Sequence, residues 1–227
     1  LHPGASSGTM HGRARNWFMN PFLTDISSRP SPMKPTFSLC VYCGSRMGDS
    51  PAYAQTAQAV GTWIGQHQGQ LIYGGGNNGL MGVVAQATAQ AGGRVVGVIP
   101  QALVDKEVAR RECDELHVVQ TMHERKQMMA ERADAFLAIP GGIGTLEEFF
   151  EVWSWRQLGY HHKPIGLLSV EGFFDGLIGF LSQATERGFI GEPQQQLVQH
   201  GSDVGELLSG LARAAGMHPP GSGLGQI

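Results

Sequence analysis

The chain has 227 residues, a length that accommodates one substantial domain. Hydrophobic residues make up 41% of it and charged residues only 15%, which excludes a disordered chain or a coiled coil and predicts a globular core. The formal charge is −3, from 16 basic and 19 acidic residues, so binding to nucleic acid through bulk positive charge is not expected.

Cysteine usage and hydropathy bear on the cellular compartment. Three cysteines, an odd number, do not suggest a disulfide framework and are typical of a reducing compartment. No apolar run reaches the roughly 18 residues that a membrane-spanning helix needs. No basic start followed by an apolar segment suggests a signal peptide. We therefore expect a cytoplasmic protein that does not bind membranes.

The composition divides the chain into three parts. Residues 1–34 are rich in Gly, Pro and Ser and show no helical or strand periodicity, so we predict a disordered tail or a segment foreign to the natural protein. Residues 214–227 are again rich in Gly and Pro, and we predict a flexible tail. Residues 35–213 form the single predicted domain.

Between the tails, short apolar runs alternate with longer segments of helical periodicity. In chain order the pattern predicts strands at 37–43, 70–74, 94–99, 115–119, 134–139 and 164–169. It predicts helices at 51–67, 79–91, 121–132, 145–158, 172–187 and 203–213. Nearly continuous apolar strands are typical of a parallel sheet covered on both faces. We predict a single doubly wound, Rossmann-like α/β sheet, in which ligands bind beyond the carboxyl ends of the strands.

A first glycine-rich segment, 73–82, follows the second predicted strand and opens a helix. Glycines let a backbone approach an anion closely, and the helix N-terminus can then bind phosphate. Gly74, Gly76 and Gly79 also fit the spacing G-x-G-x-x-G of dinucleotide sites. The next strand, however, ends at 98–100 without an acidic residue to hold a ribose. A tight strand-to-helix turn without a ligand is the alternative.

A second segment, 140–148, reads PGGIGTLEE and again follows a strand. The hydroxyl of Thr145 and nearby N–H groups are positioned to bind a phosphate. Thr145 and Glu148 also have the spacing of a capping box, which would give both residues a purely structural role. Two glycine loops at two strand ends predict one shared pocket.

A helical wheel for 145–158 directs Phe149, Val152 and Trp153 toward the core. The opposite face carries three carboxylates and an indole: Glu147, Glu148, Glu151 and Trp155. Carboxylates this close repel one another. They are either solvated or gathered where positive charge will lie.

A third segment, 122–128, reads MHERKQM. Arg125 and Lys126 are either a solvated helix face or a clamp on a nucleotide, with Arg125 suited to bidentate hydrogen bonds. We expect Cys40 and Cys43 to pack in the core and His161 and His162 to lie on the surface. We expect no metal site and no cofactor.

Together the runs GGGNNGLMG, MHERK, PGGIGTLEE and VWSWRQLGYHHKPIGLL, in this order, resemble the Lonely Guy family of cytokinin-activating phosphoribohydrolases. The resemblance covers about residues 36–212. Members of this family have also been labelled lysine decarboxylases. The chain has only four lysines, none in a recognisable pyridoxal phosphate context.

The resemblance implies hydrolysis of the N-glycosidic bond of a purine nucleoside 5′-monophosphate, AMP or an N6-prenylated relative, to free base and ribose 5-phosphate. It implies catalytic roles for Arg125 and Glu148 and a phosphate site at Gly142, Gly144 and Thr145. The remaining implied or expected substrate contacts are Gly74, Gly75, Gly76, Gly79, Met81, Glu107, Met122, Lys126, Pro140, Gly141, Ile143, Leu146, Glu147 and Ser154. Ser154 stands where plant members carry Thr.

The resemblance also implies a homodimer or a higher homo-oligomer with active sites at the subunit interface.

Breaking the C1′–N9 bond develops positive charge on the ribose, which a carboxylate such as Glu148 would stabilise. Two other functions use the same glycine loops. One is a nucleotide or pterin-cofactor carrier without catalysis, and the other, weakened by the missing ribose acid, is a dinucleotide-dependent oxidoreductase.

Overall fold

In the computed structural model, residues 35–104 and 113–217 are described. Their strands form one seven-stranded sheet in the order β4-β3-β2-β1-β5-β6-β7, with every neighbouring pair parallel. The strands are β1 Ser38–Tyr42, β2 Gln70–Tyr73, β3 Arg94–Pro100, β4 Glu115–Val119, β5 Ala135–Ala138, β6 Ile165–Leu168 and β7 Val198–Gly201.

Helices connect successive strands and cover both faces of the sheet. They are α1 Pro51–Gln66, α2 Gly79–Gln90, α3 Gln101–Val104, α4 Met122–Arg132, α5 Ile143–Gln157, α6 Asp175–Glu186, α7 Glu192–Gln195 and α8 Val204–Ala214. The predicted doubly wound, Rossmann-like α/β fold is confirmed. The three-part division of the chain stays a prediction, since residues 1–34 and 218–227 lie outside the described residues.

Two apolar clusters form the core, one on each face of the sheet. Alternate side chains of β1 serve both: Leu39 and Val41 join the cluster under α1, α2 and α8, whereas Cys40 and Tyr42 join the one under α4, α5 and α6. A strand buried on both faces carries apolar side chains on both of its sides. This is why the inner strands could be identified as continuous apolar runs.

The predictions missed the edge strand β7 and the short helices α3 and α7. β7 reads VQHG, with one apolar side chain that is only half-buried, so neither strand periodicity nor hydropathy marks it. At an edge, one side of the strand remains open, and pairing with β6 alone suffices to form it.

Chain connectivity creates a crevice at the middle of the sheet. From β1 the chain runs outward through β2, β3 and β4, then returns to place β5 on the other side of β1. The loops that leave β1 and β5 therefore diverge to opposite faces of the sheet. Such a switch point is where open α/β sheets bind ligands.

Candidate active site

A cleft of about 580 Å³ opens at the carboxyl edge of β1 and β5. Two loops line it, residues 43–48 after β1 and residues 140–145 after β5. Its wall also includes Met81 at the start of α2, Arg125 of α4 and Glu148 of α5. The shared pocket predicted from the glycine segments thus takes in most of the second segment and, from the first, Leu80 and Met81.

Helix α5 begins at Ile143, two residues earlier than predicted. Gly142 is its N-cap, with an extended backbone and no side chain to bond the first turn, and its carbonyl accepts from the Leu146 N–H at 3.1 Å. Thr145 is therefore the third helical residue, and the capping box with Glu148 is wrong. The N–H groups of this first turn receive no bond from a cap side chain, which suits an anion.

The loops after β1, β2 and β5 are bonded to one another through Gly44. Its N–H donates to the Pro140 carbonyl at 3.0 Å, and its carbonyl accepts from the Leu80 N–H at 3.0 Å. Gly79 has φ +58°, and a Cβ there would overlap the backbone of Ser45 and Arg46. Glycine at 79 is thus required both by backbone conformation and by close approach.

Arg125 points into the protein. The Thr121 hydroxyl accepts from the Glu124 N–H at 3.1 Å in a capping box, which sets the start of α4. Arg125 then lies one turn before the fully buried Met129 and is itself 8% exposed. Its Nη1 lies 3.1 Å from Glu148 Oε1, and its Nε donates to the Val98 carbonyl at 3.2 Å. A solvated position for Arg125 is wrong, because it lies on the core face of α4.

Lys126 lies beside Arg125 on α4 and binds the two other carboxylates of α5. Its Nζ donates to Glu151 Oε1 at 2.9 Å and also to Glu147. Partial burial lowers the pKa of the ammonium, but the hydrogen bonds to both glutamates outweigh it and leave the pKa raised. The three neighbouring carboxylates of α5 are thus matched by two cations of α4, which resolves their expected repulsion.

The structure brings together only part of the predicted site. Nine predicted residues line the cleft: Met81, Arg125, Pro140, Gly141, Gly142, Ile143, Gly144, Thr145 and Glu148. Nine others do not: Gly74, Gly75, Gly76, Gly79, Met122, Lys126, Leu146, Glu147 and Ser154. Met122, Glu147 and Ser154 are exposed, and Gly74 lies beneath Arg125. Glu107 lies outside the described residues.

Several wall residues were not predicted. The loop that begins with Gly44, Ser45 and Arg46 follows the central strand, and Tyr53 and Phe173 complete the wall as an edge-to-face aromatic pair with centroids 5.7 Å apart. The loop had a usable signal, since it leaves a strand at the switch point. No sequence signal marked Phe173, which lies 120 residues from Tyr53 in the chain.

Cys40 and Cys43 are buried free thiols, as expected for core residues, and burial raises the pKa of both. His161 is not a surface residue. It is half-buried, and its Nε2 lies 2.9 Å from the Val152 carbonyl, to which it donates in the neutral tautomer protonated there. Lys163 Nζ donates to the Ala130 carbonyl at 2.7 Å, so this turn binds both α4 and α5. His162 is exposed, as predicted.

Within residues 35–104 and 113–217, no cluster of His, Cys, Asp or Glu is arranged to hold a metal ion. None of the helices in that part of the chain has the length and apolar character of a membrane span.

Parallel strands with helices on both faces and a glycine-lined cleft at the switch point define a doubly wound α/β protein. A family model described as "Possible lysine decarboxylase" matches residues 81–211. The chain is 43% identical over 181 residues to "Probable cytokinin riboside 5'-monophosphate phosphoribohydrolase LOG4" of Oryza sativa subsp. japonica, covering 80% of this chain and 79% of the relative.

A second relative is "Cytokinin riboside 5'-monophosphate phosphoribohydrolase LOG7" of Arabidopsis thaliana, 43% identical over 76% of this chain and 80% of the relative. Among solved structures, the Moco carrier protein from Chlamydomonas reinhardtii matches with a TM-score of 0.62 at 21% identity, over 81% of this chain and 99% of that one, which shows the fold alone. The chain belongs to the LOG family, as its motifs indicate.

Proposed function

We propose that this protein hydrolyses the N-glycosidic bond of purine nucleoside 5′-monophosphates, with AMP or an N6-prenylated AMP as substrate. The relatives named above are called cytokinin riboside 5'-monophosphate phosphoribohydrolases, which supports a nucleotide phosphoribohydrolase. The observation that carries the proposal is the pairing of Glu148, 8% exposed, with Arg125 in the wall of a cleft that also holds the uncapped N-terminus of α5.

The 5′-phosphate belongs at the start of α5. The N–H groups of the first turn, the helix dipole and the Thr145 hydroxyl all favour an anion there. Thr145 is 3% exposed and lies against Gly141, where a side chain would overlap its Oγ1. The phosphate does not react, but its binding energy fixes the ribose for the chemical step.

Glu148 lies three residues beyond Thr145 in α5, and its buried side chain lines the same cleft. As the C1′–N9 bond breaks, the bonding pair leaves with the base and positive charge develops on the ribose. The carboxylate stabilises that charge and accepts the proton of the water that attacks C1′. The leaving base takes up one proton from solvent while Glu148 returns to solvent the proton it accepted from water, and the products are adenine, or its N6-prenylated form, and ribose 5-phosphate.

Arg125 offsets the cost of burying the Glu148 carboxylate, since a buried charge without a partner is strongly destabilising. Arg125 also lines the cleft, where its guanidinium can contact the substrate either at the departing base or at the phosphate and ribose.

The test is incubation of purified protein with AMP, with N6-isopentenyl-AMP and with adenosine, followed by chromatographic measurement of free base. We expect both nucleotides to release base and adenosine to be far slower, because it lacks the phosphate. Ligand binding without release of base would instead indicate a carrier. Release of cadaverine from L-lysine supplied with pyridoxal phosphate would support the decarboxylase description.

We also propose a homodimer or a higher homo-oligomer. In helix α5, which carries Glu148, Ile143 and Phe150 are exposed at 88% and 37%, and its C-cap Leu158 is exposed at 64%. These residues recur at helical spacing along one outward face. Exposed apolar residues on one helix face are typical of an interface, and a second copy covering this face would adjoin the cleft. The free thiols support a reducing, cytoplasmic location.

A further inference from the structure

Gly74 follows β2 directly and lies against the guanidinium of Arg125. A Cβ atom at this position would overlap Arg125 Nη2 and would come within 3.3 Å of its Cζ and 3.4 Å of Met81 Sδ. No backbone atom is among these nearest neighbours. The space that a side chain of residue 74 would fill is therefore taken by the end of Arg125.

The backbone does not explain glycine at this position. Gly75 and Gly79 in the same segment have φ of +77° and +58°, which disfavour other residues, whereas Gly74 is not among the glycines with positive φ. Gly74 also does not line the cleft. A left-handed turn therefore does not account for it, and it is not part of the cleft wall.

The guanidinium is held from three sides. The Val98 carbonyl of β3 accepts from Nε at 3.2 Å, Glu148 of α5 binds Nη1 at 3.1 Å, and the bare Cα of Gly74 admits Nη2. An arginine side chain is long and has many rotamers, so its orientation depends on such contacts.

We infer that Gly74 is a positioning residue. Because it has no side chain, it leaves space for Nη2 of Arg125, and this space, called the Gly74 seat, lets the guanidinium face Glu148 and the cleft. The inference rests on the proposed function for its kinetic consequence, but not for its structural one. A methyl group at 74 would displace Nη2, and the guanidinium could not then keep both its bond to Val98 and its bond to Glu148.

The test is Gly74→Ala, with Gly201→Ala as the matched control. Gly201 ends another strand of the same sheet, β7, and has no atom within 4 Å of an added Cβ. Because Arg125 Nη2 is the flexible end of a side chain and not backbone, we expect Gly74→Ala to fold, with a melting temperature lowered by the weakened buried ion pair. We expect its kcat/KM for AMP to fall on the order of 100-fold, as for a catalytic group misplaced by about 1 Å. Gly201→Ala should retain the wild-type value.

A double-mutant cycle separates positioning from other roles. If Gly74 acts through Arg125, then Gly74→Ala should cause no further loss of kcat/KM in an Arg125→Ala background. Losses that multiply would overturn the inference, because they would show that Gly74 contributes independently, through the substrate or the turn. Retention of kcat/KM within twofold by Gly74→Ala alone would also overturn it.

A crystal structure of Gly74→Ala gives a test that is independent of activity. We expect the guanidinium to have left the Glu148 carboxylate or the Val98 carbonyl. Both bonds intact in the variant would overturn the inference, even if the wild-type protein proved inactive toward AMP. If the wild-type protein were inactive toward AMP and Arg125 were displaced in the variant, the proposed function would be overturned. The positioning of Arg125 by Gly74 would still be supported.

Discussion

Arg125 and Glu148 form an ion pair across two helices, with Nη1 and Oε1 3.1 Å apart and about nine-tenths of each side chain buried. Removing two charges from water is costly, and the pair recovers that cost only if both partners stay in place. Such a pair contributes little net stability. Its presence at the wall of a cleft at the switch point is better explained by function.

Glu148→Gln should separate the charge of this carboxylate from its shape. Glutamine can still accept a hydrogen bond from Arg125, but it carries no negative charge for the developing oxocarbenium ion. We expect kcat for AMP to fall by at least about 100-fold, on the scale of losing a principal electrostatic contact. We expect a modest loss of stability, below the roughly 3 kcal/mol of deleting one partner of a buried pair.

Steady-state kinetics and urea unfolding check this prediction. Glu186→Gln is the control, since it removes an exposed carboxylate from α6 and should alter neither quantity. Near-normal turnover by Glu148→Gln would contradict the proposed mechanism.

Thr145→Val should test the phosphate site. Valine has nearly the shape of threonine, so the buried packing survives while the hydroxyl is lost. A hydrogen bond to a charged group is worth about 1.5–3 kcal/mol, so kcat/KM for AMP should fall at least about tenfold. The slow reaction of adenosine should not change, because adenosine has no phosphate. Equal losses for both substrates would show that Thr145 does not contact the phosphate; Thr145→Ser should restore the rate.

Lys126→Met should destabilise the protein in a manner that depends on pH. The pKa of Lys126 is higher in the folded than in the unfolded protein. Its contribution to the free energy of unfolding is therefore fully present below the unfolded pKa, about 10.4, and is lost as the pH rises through the folded pKa. The expected cost at pH 7 is about 1 kcal/mol, because the group is partly solvated. Urea unfolding of wild type and variant from pH 7 to 11 should show the difference shrink above about pH 10. A constant difference would contradict the assignment.

Leu158→Lys should test the proposed subunit interface. Leu158 caps α5 and is 64% exposed, so a charge there should not disturb the fold of one subunit. Light scattering during gel filtration should show the variant shifted toward the monomer, with lower activity. Gln58→Lys places the same charge at an exposed position of α1, on the other face of the sheet. This variant should leave the assembly intact. A variant with wild-type mass would exclude this face as the interface.

The inner strands were predictable because burial on both faces leaves continuous apolar runs. The wheel for α5 also placed Phe149, Val152 and Trp153 correctly in the core. The error at Thr145 has a local cause. Threonine and glutamate three residues apart fit a capping box, but Gly142 adopts the extended cap conformation, so the helix begins at Ile143 and Thr145 lies inside its first turn.

The burial of Arg125 was not predictable from local sequence. Adjacent Arg and Lys usually form a solvated face. Here Arg125 is buried on the core face of α4, whereas Lys126 is only partly buried. The difference depends on partners that are distant in the chain, Glu148 on another helix and the Val98 carbonyl on a strand. Gly74 is a similar case, because its role depends on a side chain 51 residues away.

The bonds that Gly44 makes to Leu80 and Pro140 link the exits of three strands into one unit. A ligand entering between them meets donors that are already oriented, so little ordering entropy is spent on these loops during binding. Association should then follow a single second-order phase, limited by encounter rather than by rearrangement of the glycine loops.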